Sequence, residues 1–182
     1  MSPRADAVRN RERVLAAARE AFAADGPAVS LDEVARRAGV GPGTVHRHFP
    51  SKKDLFTAVI ADRLQELAGD ARELSGAADA GAAFFTFFDR LAGQARENLA
   101  LSAAVTVSTE VVREAGAELE EALGALLSRA QLAGQVRGDV TVADLHAIIG
   151  GALLMEQRLD PAARGIGLRV VADGLRARPG LS

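Results

Sequence analysis

Residues 30–56 read SLDEVARRAGVGPGTVHRHFPSKKDLF, and this stretch decides the fold of the N-terminal part of the chain. Ser30 is followed three residues later by Glu33, a spacing typical of a capping box that opens a helix. The pattern predicts a helix that continues to Ala38. Gly39 then supplies the left-handed residue with which many helices end.

A second, shorter helix follows the glycine turn. Pro42 suits its first position, where a missing N–H costs nothing, and Pro50 closes it. Val45 and Phe49 lie four residues apart and form its apolar face. The side chains that remain outward hydrogen-bond or carry positive charge. Two helices joined by a tight turn, the second polar and basic, indicate a helix-turn-helix whose second helix enters the major groove of DNA.

The run AGVGPGTVHRHFPSKKDLF (38–56) resembles the DNA-binding signature of the TetR family of transcriptional regulators, A-G-V-S-x-G-T-[LV]-Y-x-H-F-x-[ST]-K-x-x-L. The resemblance covers about residues 10–60. It departs at His46, where the family usually has a tyrosine that packs on thymine methyl groups or on the DNA backbone. His46 still donates a hydrogen bond, but it has less apolar surface and its charge depends on pH.

Charge is distributed unevenly along the 182 residues. The chain carries 22 Lys+Arg and 24 Asp+Glu, a formal net charge of −2. Residues 1–53 hold 10 basic and 6 acidic side chains, a net of +4, which leaves 12 and 18, a net of −6, for the rest. A basic N-terminal region attached to an acidic remainder favours a DNA-binding module joined to something else.

Composition excludes several other classes of protein. The chain has no Cys, so disulfides and thiolate metal sites are excluded. No apolar run approaches the length of about 20 residues that a membrane span needs. The charged N-terminus does not resemble a signal peptide, and we expect a cytoplasmic protein with no membrane partner. Hydrophobic residues make up 48% of the chain, enough for a substantial core.

Atom types suggest how the motif contacts DNA. Free N–H groups at the helix starts after Ser30 and Gly41 suit a phosphate, and Gly43 lets the backbone approach the duplex. Thr44 suits a phosphate or a thymine methyl. Lys52 resembles the phosphate-binding lysine of the family. The full predicted DNA-binding set is Ser30, Gly41, Pro42, Gly43, Thr44, His46, Arg47, His48 and Lys52.

Some of these residues have alternative interpretations. Arg47 either contacts the DNA backbone or reads a guanine base. His48 either has a mainly structural role or contacts DNA. His46 and His48 do not form a metal site on a helix, because residues i and i+2 do not face together. Arginines crowd the start of the first helix, which is expected over about residues 8–24. These residues are Arg9, Arg11 and Arg13, and they either contact DNA phosphates or form a solvated basic face. The start of a helix disfavours cations unless an anion is near, which leaves both interpretations open.

The rest of the chain has helical periodicity throughout. Residues 1–7 are expected to form a disordered arm, and 8–54 a DNA-binding domain. A long connecting helix spans 52–74, with Leu55, Val59, Leu64 and Leu67 predicted to bind its first half to that domain. Residues 75–182 are expected to form an effector-binding and dimerisation domain with helices near 79–96, 99–106, 109–133, 141–155 and 162–177. The predicted fold is all-α, with about nine helices.

Two stretches of this second domain suggest an effector pocket. Four of the seven Phe residues lie in FFTFF (84–88), an ordinary core stripe or an aromatic wall of a cavity. Hydroxyls among small residues in SAAVTVST (102–109) orient a ligand or serve helix caps. His146 is interpreted as a pocket or interface residue. The predicted pocket set is Phe84, Phe85, Phe88, Ser102, Thr106, Thr109 and His146.

A C-terminal pair of apolar helices favours a two-fold interface. The run HAIIGGALLM (146–155) has adjacent glycines within a helix, each of which costs about 1 kcal/mol relative to Ala, so close helix packing should favour them. A monomer core is the alternative. The predicted dimer residues are Ile148, Ile149, Ala152, Ile166, Val170 and Leu175. The run from LSRAQLAGQVRGDVTVADL (127–145) to the closing DGLRA (173–177) is similar to the SbtR-like regulatory domains common in high-GC actinobacteria.

These observations predict a homodimeric transcription factor, most simply a repressor, that binds a palindromic double-stranded DNA operator. The resemblance implies release by a small, mostly apolar effector, without cofactor or metal. A general DNA binder without an effector is a second hypothesis. An enzyme is a third, but the sequence offers no carboxylate pair, nucleophile–base set or phosphate loop to support it.

Overall fold

A computed structural model describes residues 3–93, 109–156 and 158–177, and the described part is all-α. Its eight α-helices are α1 Pro3–Asp25, α2 Leu31–Ala38, α3 Pro42–His48, α4 Lys52–Ser75, α5 Ala80–Gly93, α6 Glu110–Leu132, α7 Val142–Glu156 and α8 Ile166–Leu175. Short 3₁₀ turns at Gly26–Ala28 and Pro161–Ala163 precede α2 and α8. The helix expected over 99–106 lies outside the described residues.

Two expected boundaries are wrong. The first helix begins at Pro3, so residues 3–7 are not the disordered arm that their polarity suggested. Proline suits the first turn, and Asp6 in that turn complements the helix dipole and pairs with Arg9. The last helix begins at Ile166, because a 3₁₀ turn and the left-handed Gly165 interrupt the periodic pattern before it.

Helix caps follow the sequence closely at three positions. Ser51 and Asp54 form a reciprocal capping box at α4, and Thr141 and Asp144 make the same pair of bonds at α7. Ser30 makes only the first half at α2, where its Oγ accepts from the Glu33 N–H at 3.2 Å. The Glu33 carboxylate instead accepts hydrogen bonds from the guanidinium groups that follow it on α2.

The described residues form two hydrophobic clusters that meet on α4. The N-terminal cluster combines α1, α2 and α3 with the start of α4; Val14, Val34, Val45 and Leu55 are fully buried in it. The C-terminal cluster begins at Ile60 and continues through α5 to α8. Burial of these apolar side chains, worth about 25 cal/mol per Å², is the main stabilising contribution.

Helix α4 therefore belongs to both clusters, although the division differs from the expected one. Leu55 and Val59 pack in the N-terminal cluster as predicted, but Leu64 and Leu67 pack in the C-terminal cluster. The prediction was wrong because the helix passes beyond the small first domain within two turns. Phe56 contacts both clusters and meets Phe22 edge to face, with ring centroids 5.2 Å apart.

The phenylalanine run of α5 lies in the core. All four rings are at most 8% exposed, and neighbouring ring centroids are 5.2 to 6.0 Å apart. The guanidinium of Arg176 lies 3.9 Å from the Phe85 ring centroid, which ties the end of α8 to α5. Of the helices in the described ranges, each is too short or too polar to cross a membrane.

Candidate DNA-binding site

The turn between α2 and α3 brings the predicted site residues to one surface. Gly39 adopts the left-handed conformation (φ 62°, ψ 38°), and its N–H bonds to carbonyls of the last turn of α2. Gly41 caps α3, and Pro42 occupies the first helical position. The backbone arrangement predicted for this turn is therefore the observed one.

Helix α3 has one buried and one exposed face. Val45 is fully buried, and Phe49 after the helix is 3% exposed. Thr44 is partly exposed on the other face. The remaining outward residues are exposed; they are Gly41, Pro42, Gly43, His46, Arg47 and His48. The exposed surface of α3 therefore consists of backbone, hydroxyl, imidazole and guanidinium groups.

Local contacts orient two of these side chains. Arg47 Nε donates to Gly43 O at 3.0 Å, which lays the guanidinium along α3. His46 Nε2 lies 3.5 Å from Asp32 Oδ1 on α2, and both side chains are more than half exposed. The Asp32 contact was not predicted, because Asp32 was read only as part of the cap sequence. When protonated, His46 is attracted to this carboxylate, which then competes with a phosphate for the same charge.

Further cationic groups surround α3. Lys52 and Lys53 are exposed in the first turn of α4, close in sequence to the end of α3. Ser30 is exposed and uses an acceptor lone pair for its cap, so its O–H proton is available outward. Arg11 lies 5.8 Å from the Phe49 ring centroid, against the end of α3. This Arg11 contact was also missed, since nothing in a sequence pairs a cation on α1 with an aromatic ring 38 positions later.

The three N-terminal arginines have different partners. Arg9 pairs with Asp6 on the same exposed face of α1. Arg13 Nη2 instead donates to Ala38 O at 2.6 Å and to Gly39 O at 3.1 Å. Arg13 is thus not a purely solvated cation, because one of its guanidinium nitrogens donates to backbone carbonyls of the turn.

The pKa of the Glu33 carboxyl is strongly lowered. Hydrogen bonds from Arg36 and then Arg37 lower the pKa of the Glu33 carboxyl from 4.5 to about 2. Arg37 also bonds to Asp25 at 2.6 Å, which links the end of α1 to α2. The network holds α2 against α1. Within it, the guanidinium groups of Arg36 and Arg37 bond to carboxylates of the protein.

The structure places the predicted pocket residues and the predicted dimer residues in several different surroundings. Phe84, Phe85 and Phe88 are core residues, whereas Thr109 caps α6 and His146 is exposed on α7. Ser102 and Thr106 lie outside the described residues. Ala152 and Leu175 are 6% and 4% exposed and lie inside the protomer, whereas Ile149 is partly buried and packs against the core. The other three predicted dimer residues are exposed; they are Ile148, Ile166 and Val170.

Among the residues that the structure describes, no three His, Asp or Glu side chains are grouped to hold a metal ion. The exposed polar side chains of α3 are donors or cations, which suit phosphate oxygens and base edges.

Comparison with known proteins identifies the architecture. Residues 14–59 match the profile of bacterial regulatory proteins of the tetR family, and 79–177 match the C-terminal domain of SbtR-like transcriptional regulators. A TetR transcription regulatory protein from Mycobacterium vanbaalenii is 42% identical; the alignment covers 97% of this chain and 100% of that one, with a TM-score of 0.72. The chain belongs to the TetR family of transcriptional regulators.

Other TetR proteins agree with this assignment. The regulator SCO0520 from Streptomyces coelicolor is 30% identical over 92% of this chain and 98% of its own, with a TM-score of 0.72. The uncharacterized regulator TtgW from Pseudomonas putida is 43% identical over 67 residues, 36% of this chain. That match covers only half of TtgW. Family membership makes the protein a DNA-binding transcriptional regulator rather than an enzyme.

Proposed function

We propose that this TetR regulator is a repressor that binds a palindromic operator as a homodimer and is released by a small, mostly apolar effector. In this proposal, residues 8–54 form the DNA-binding domain and residues 75–182 bind the effector and the second protomer. The helix over residues 52–74 connects these two domains. Two α3 helices, one from each protomer, enter successive major grooves about one helical turn apart, roughly 34–36 Å.

The observation that carries the proposal is the exposed face of α3. It presents Thr44, His46, Arg47 and His48 outward, while Val45 is buried beneath them. Polar groups on a short, well-anchored helix supply base contacts, and the cations beside it supply phosphate contacts. Lys52 lies at the start of α4, where it extends the positive surface along the DNA backbone.

An exposed apolar surface on α7 and α8 supports the homodimer. Its five large side chains are 38 to 64% exposed: Ile148, Leu154, Met155, Ile166 and Val170. Isolated apolar side chains are common on protein surfaces, but a group on two adjacent helices is typical of an interface. Leu154 and Met155 extend the interface beyond the residues predicted from sequence. A two-fold axis at this surface pairs each α7–α8 unit with its own copy.

The position of α4 supports effector control. Its first turns are packed in the N-terminal cluster and its later turns in the C-terminal one, so a shift of α4 changes both. An effector that binds one arrangement of the C-terminal domain better then changes the separation of the two α3 helices. By linkage, operator DNA opposes that effector to the same extent.

A binding titration tests this proposal. The DNA is the segment immediately upstream of the regulator's own gene, with random DNA of equal length as control, at about 0.15 M salt. We expect a preference of about a thousandfold or more for the operator. Equal affinity for several independent genomic segments and for random DNA would instead indicate a general DNA binder.

A further inference from the structure

The turn between α2 and α3 is held by a side chain from another helix. Arg13 of α1 reaches it with one guanidinium nitrogen, which lies 2.6 Å from Ala38 O and 3.1 Å from Gly39 O. These residues are 25 and 26 positions away in the chain. The contact therefore joins the start of the molecule to the residues that redirect the backbone into α3.

The two carbonyls lie at the C-terminal end of α2, where backbone acceptors lack helical partners. The last carbonyls of a helix have no partner within the helix and form its partially negative end. At the end of α2, the N–H groups of Gly39 and Val40 bond back to Arg36 O and Ala35 O, which satisfies earlier carbonyls. Ala38 O and Gly39 O accept from Arg13. A guanidinium donates to both and brings a positive charge to the negative end of the helix.

The base of the Arg13 side chain is fixed. Val14 is fully buried and Leu15 is 2% exposed, so α1 is anchored in the N-terminal cluster immediately after Arg13. A donor on a rigid helix restricts the acceptors it holds more than a donor on a mobile segment does. Only three residues separate α2 from α3, so restraint at Ala38 and Gly39 restricts the direction of α3.

Gly39 makes room for the contact. Its φ of 62° is a conformation that glycine adopts without strain. In addition, a Cβ at this position would lie 2.8 Å from Arg13 Nη2, too close for a normal contact. The same glycine thus permits the turn and leaves space for the guanidinium.

We propose that Arg13 is a positioning residue for DNA binding, whose guanidinium holds the α2–α3 turn and so sets the direction of α3. The proposal rests on the proposed role of α3 in reading the operator. It differs from the phosphate contact that the sequence suggested for Arg13, because one guanidinium nitrogen already donates to two backbone carbonyls of the turn. The two roles predict different dependence on salt and on DNA sequence.

The first experiment compares Arg13→Ala with Arg9→Ala. Both variants remove one positive charge from α1, but Arg9 contacts only Asp6 among the described interactions and does not reach the turn. We expect Arg13→Ala to lower operator affinity about fivefold or more relative to Arg9→Ala, because a charge-assisted hydrogen bond is lost. Affinity for random DNA and the salt slope should match those of Arg9→Ala.

Two results would overturn the proposal in this experiment. A direct phosphate contact would lower affinity for operator and random DNA in parallel and reduce the salt slope by about 0.9 relative to Arg9→Ala. A purely structural role would lower the melting temperature and leave operator affinity unchanged well below it. Either outcome removes the positioning role.

The second experiment needs no DNA, so it separates this proposal from the function assigned to α3. Amide hydrogen exchange is measured in wild type, Arg13→Ala and Arg9→Ala. We expect the amides of Gly39 and Val40 to exchange about fivefold or more faster in Arg13→Ala only. Unchanged exchange would contradict the proposal even if the operator is bound. Faster exchange without any operator binding would instead contradict the proposed function alone.

A third measurement tests the role of Gly39 through coupling. Gly39→Ala is made in wild type and in Arg13→Ala, and exchange at Val40 is compared. The substitution strains the backbone in both backgrounds, but only wild type also loses the guanidinium contact. We expect a larger increase in exchange in wild type. Equal increases would show that Gly39 and Arg13 act independently.

Discussion

Arg19 Nη2 on α1 lies 2.7 Å from Asp62 Oδ2 on α4, and the same nitrogen lies 2.7 Å from Glu66 Oε1. Arg63, which is buried, also bonds to Glu66 at 2.8 Å. Burial opposes the charged form of Glu66, but hydrogen bonds from Arg19 and Arg63 outweigh it and hold its pKa below the usual value. This network joins the first domain to α4 at the level where α4 passes from one cluster to the other.

Arg19→Met should destabilise the protein through this network. The substitution keeps much of the side-chain length but leaves Asp62 and Glu66 partly buried with fewer donors. Because the site is partly exposed, we expect a loss of about 1–2 kcal/mol in the free energy of unfolding, measured by urea denaturation. Arg72→Met is the control, since Arg72 pairs with Glu118 on an exposed surface and should cost less than about 1 kcal/mol. Equal losses in the two variants would show that the α1–α4 network has no special role.

Lys52→Ala and Thr44→Ala should weaken DNA binding in different ways. Lys52 is assigned a phosphate contact, so its loss should weaken binding to every sequence and reduce the salt slope by about 0.9. Thr44 faces outward from α3, so its loss should depend on the DNA sequence. Titrations on operator and random DNA at several salt concentrations distinguish the two. The assignment of roles fails if both variants change both DNAs equally.

Val170→Lys should disrupt the proposed dimer. Val170 is 64% exposed in the protomer. Because each protomer of a two-fold dimer contributes one copy, the substitution places two lysines at the same apolar interface. We expect the variant to sediment as a monomer at concentrations where wild type is a dimer. Leu132→Lys is the matched control, because Leu132 is 90% exposed at the end of α6 and is not on α7 or α8. A dimeric Val170→Lys protein would place the interface elsewhere.

Glu33 should make stability depend on pH in acid. Its pKa is 4.5 in the reference state and about 2 in the folded protein, so the folded state favours the charged carboxylate. This contribution is fully present above about pH 4.5 and is lost as the pH falls toward 2. Thermal melts between pH 5 and 2 should therefore show a smaller decline for Glu33→Gln than for wild type. Parallel declines would contradict the assignment of the shift to Glu33.

Glu156 should stabilise the start of α8 strongly. It is fully buried, and its carboxylate accepts from the N–H groups of Gly165 and Gly167 at the start of that helix. Glu156→Ala leaves two buried donors without an acceptor, at about 1–3 kcal/mol each. Urea denaturation at one fixed protein concentration measures the loss. The exposed control Glu114→Ala should stay within about 0.5 kcal/mol of wild type, and a similar small change for Glu156→Ala would rule out this role.

Local signals in the sequence predicted the helix-turn-helix well. Gly39 and Pro42 each have a conformational property that few other residues share, and a cap at Ser51 needs only a partner three positions away. Such features depend on neighbours in the chain, so they can be read before the fold is known. The family resemblance of residues 38–56 added the function.

Long-range contacts could not be predicted in this way. The partners of Arg13 lie 25 and 26 residues away, and only the packing of α1 beneath α2 brings them together. The same limit explains why Leu64 and Leu67 were assigned to the wrong cluster. Helical periodicity shows which face of α4 is apolar, but it does not show which neighbour covers each turn.

Selection of genomic fragments by the purified regulator, at about 0.15 M salt, tests the central claim most directly. The account predicts that the bound fragments share an inverted repeat whose half-sites lie about one helical turn apart, since two α3 helices related by a two-fold axis read it. Bound fragments that share no sequence, or a single half-site without its inverted copy, would contradict a dimeric repressor that reads DNA through α3.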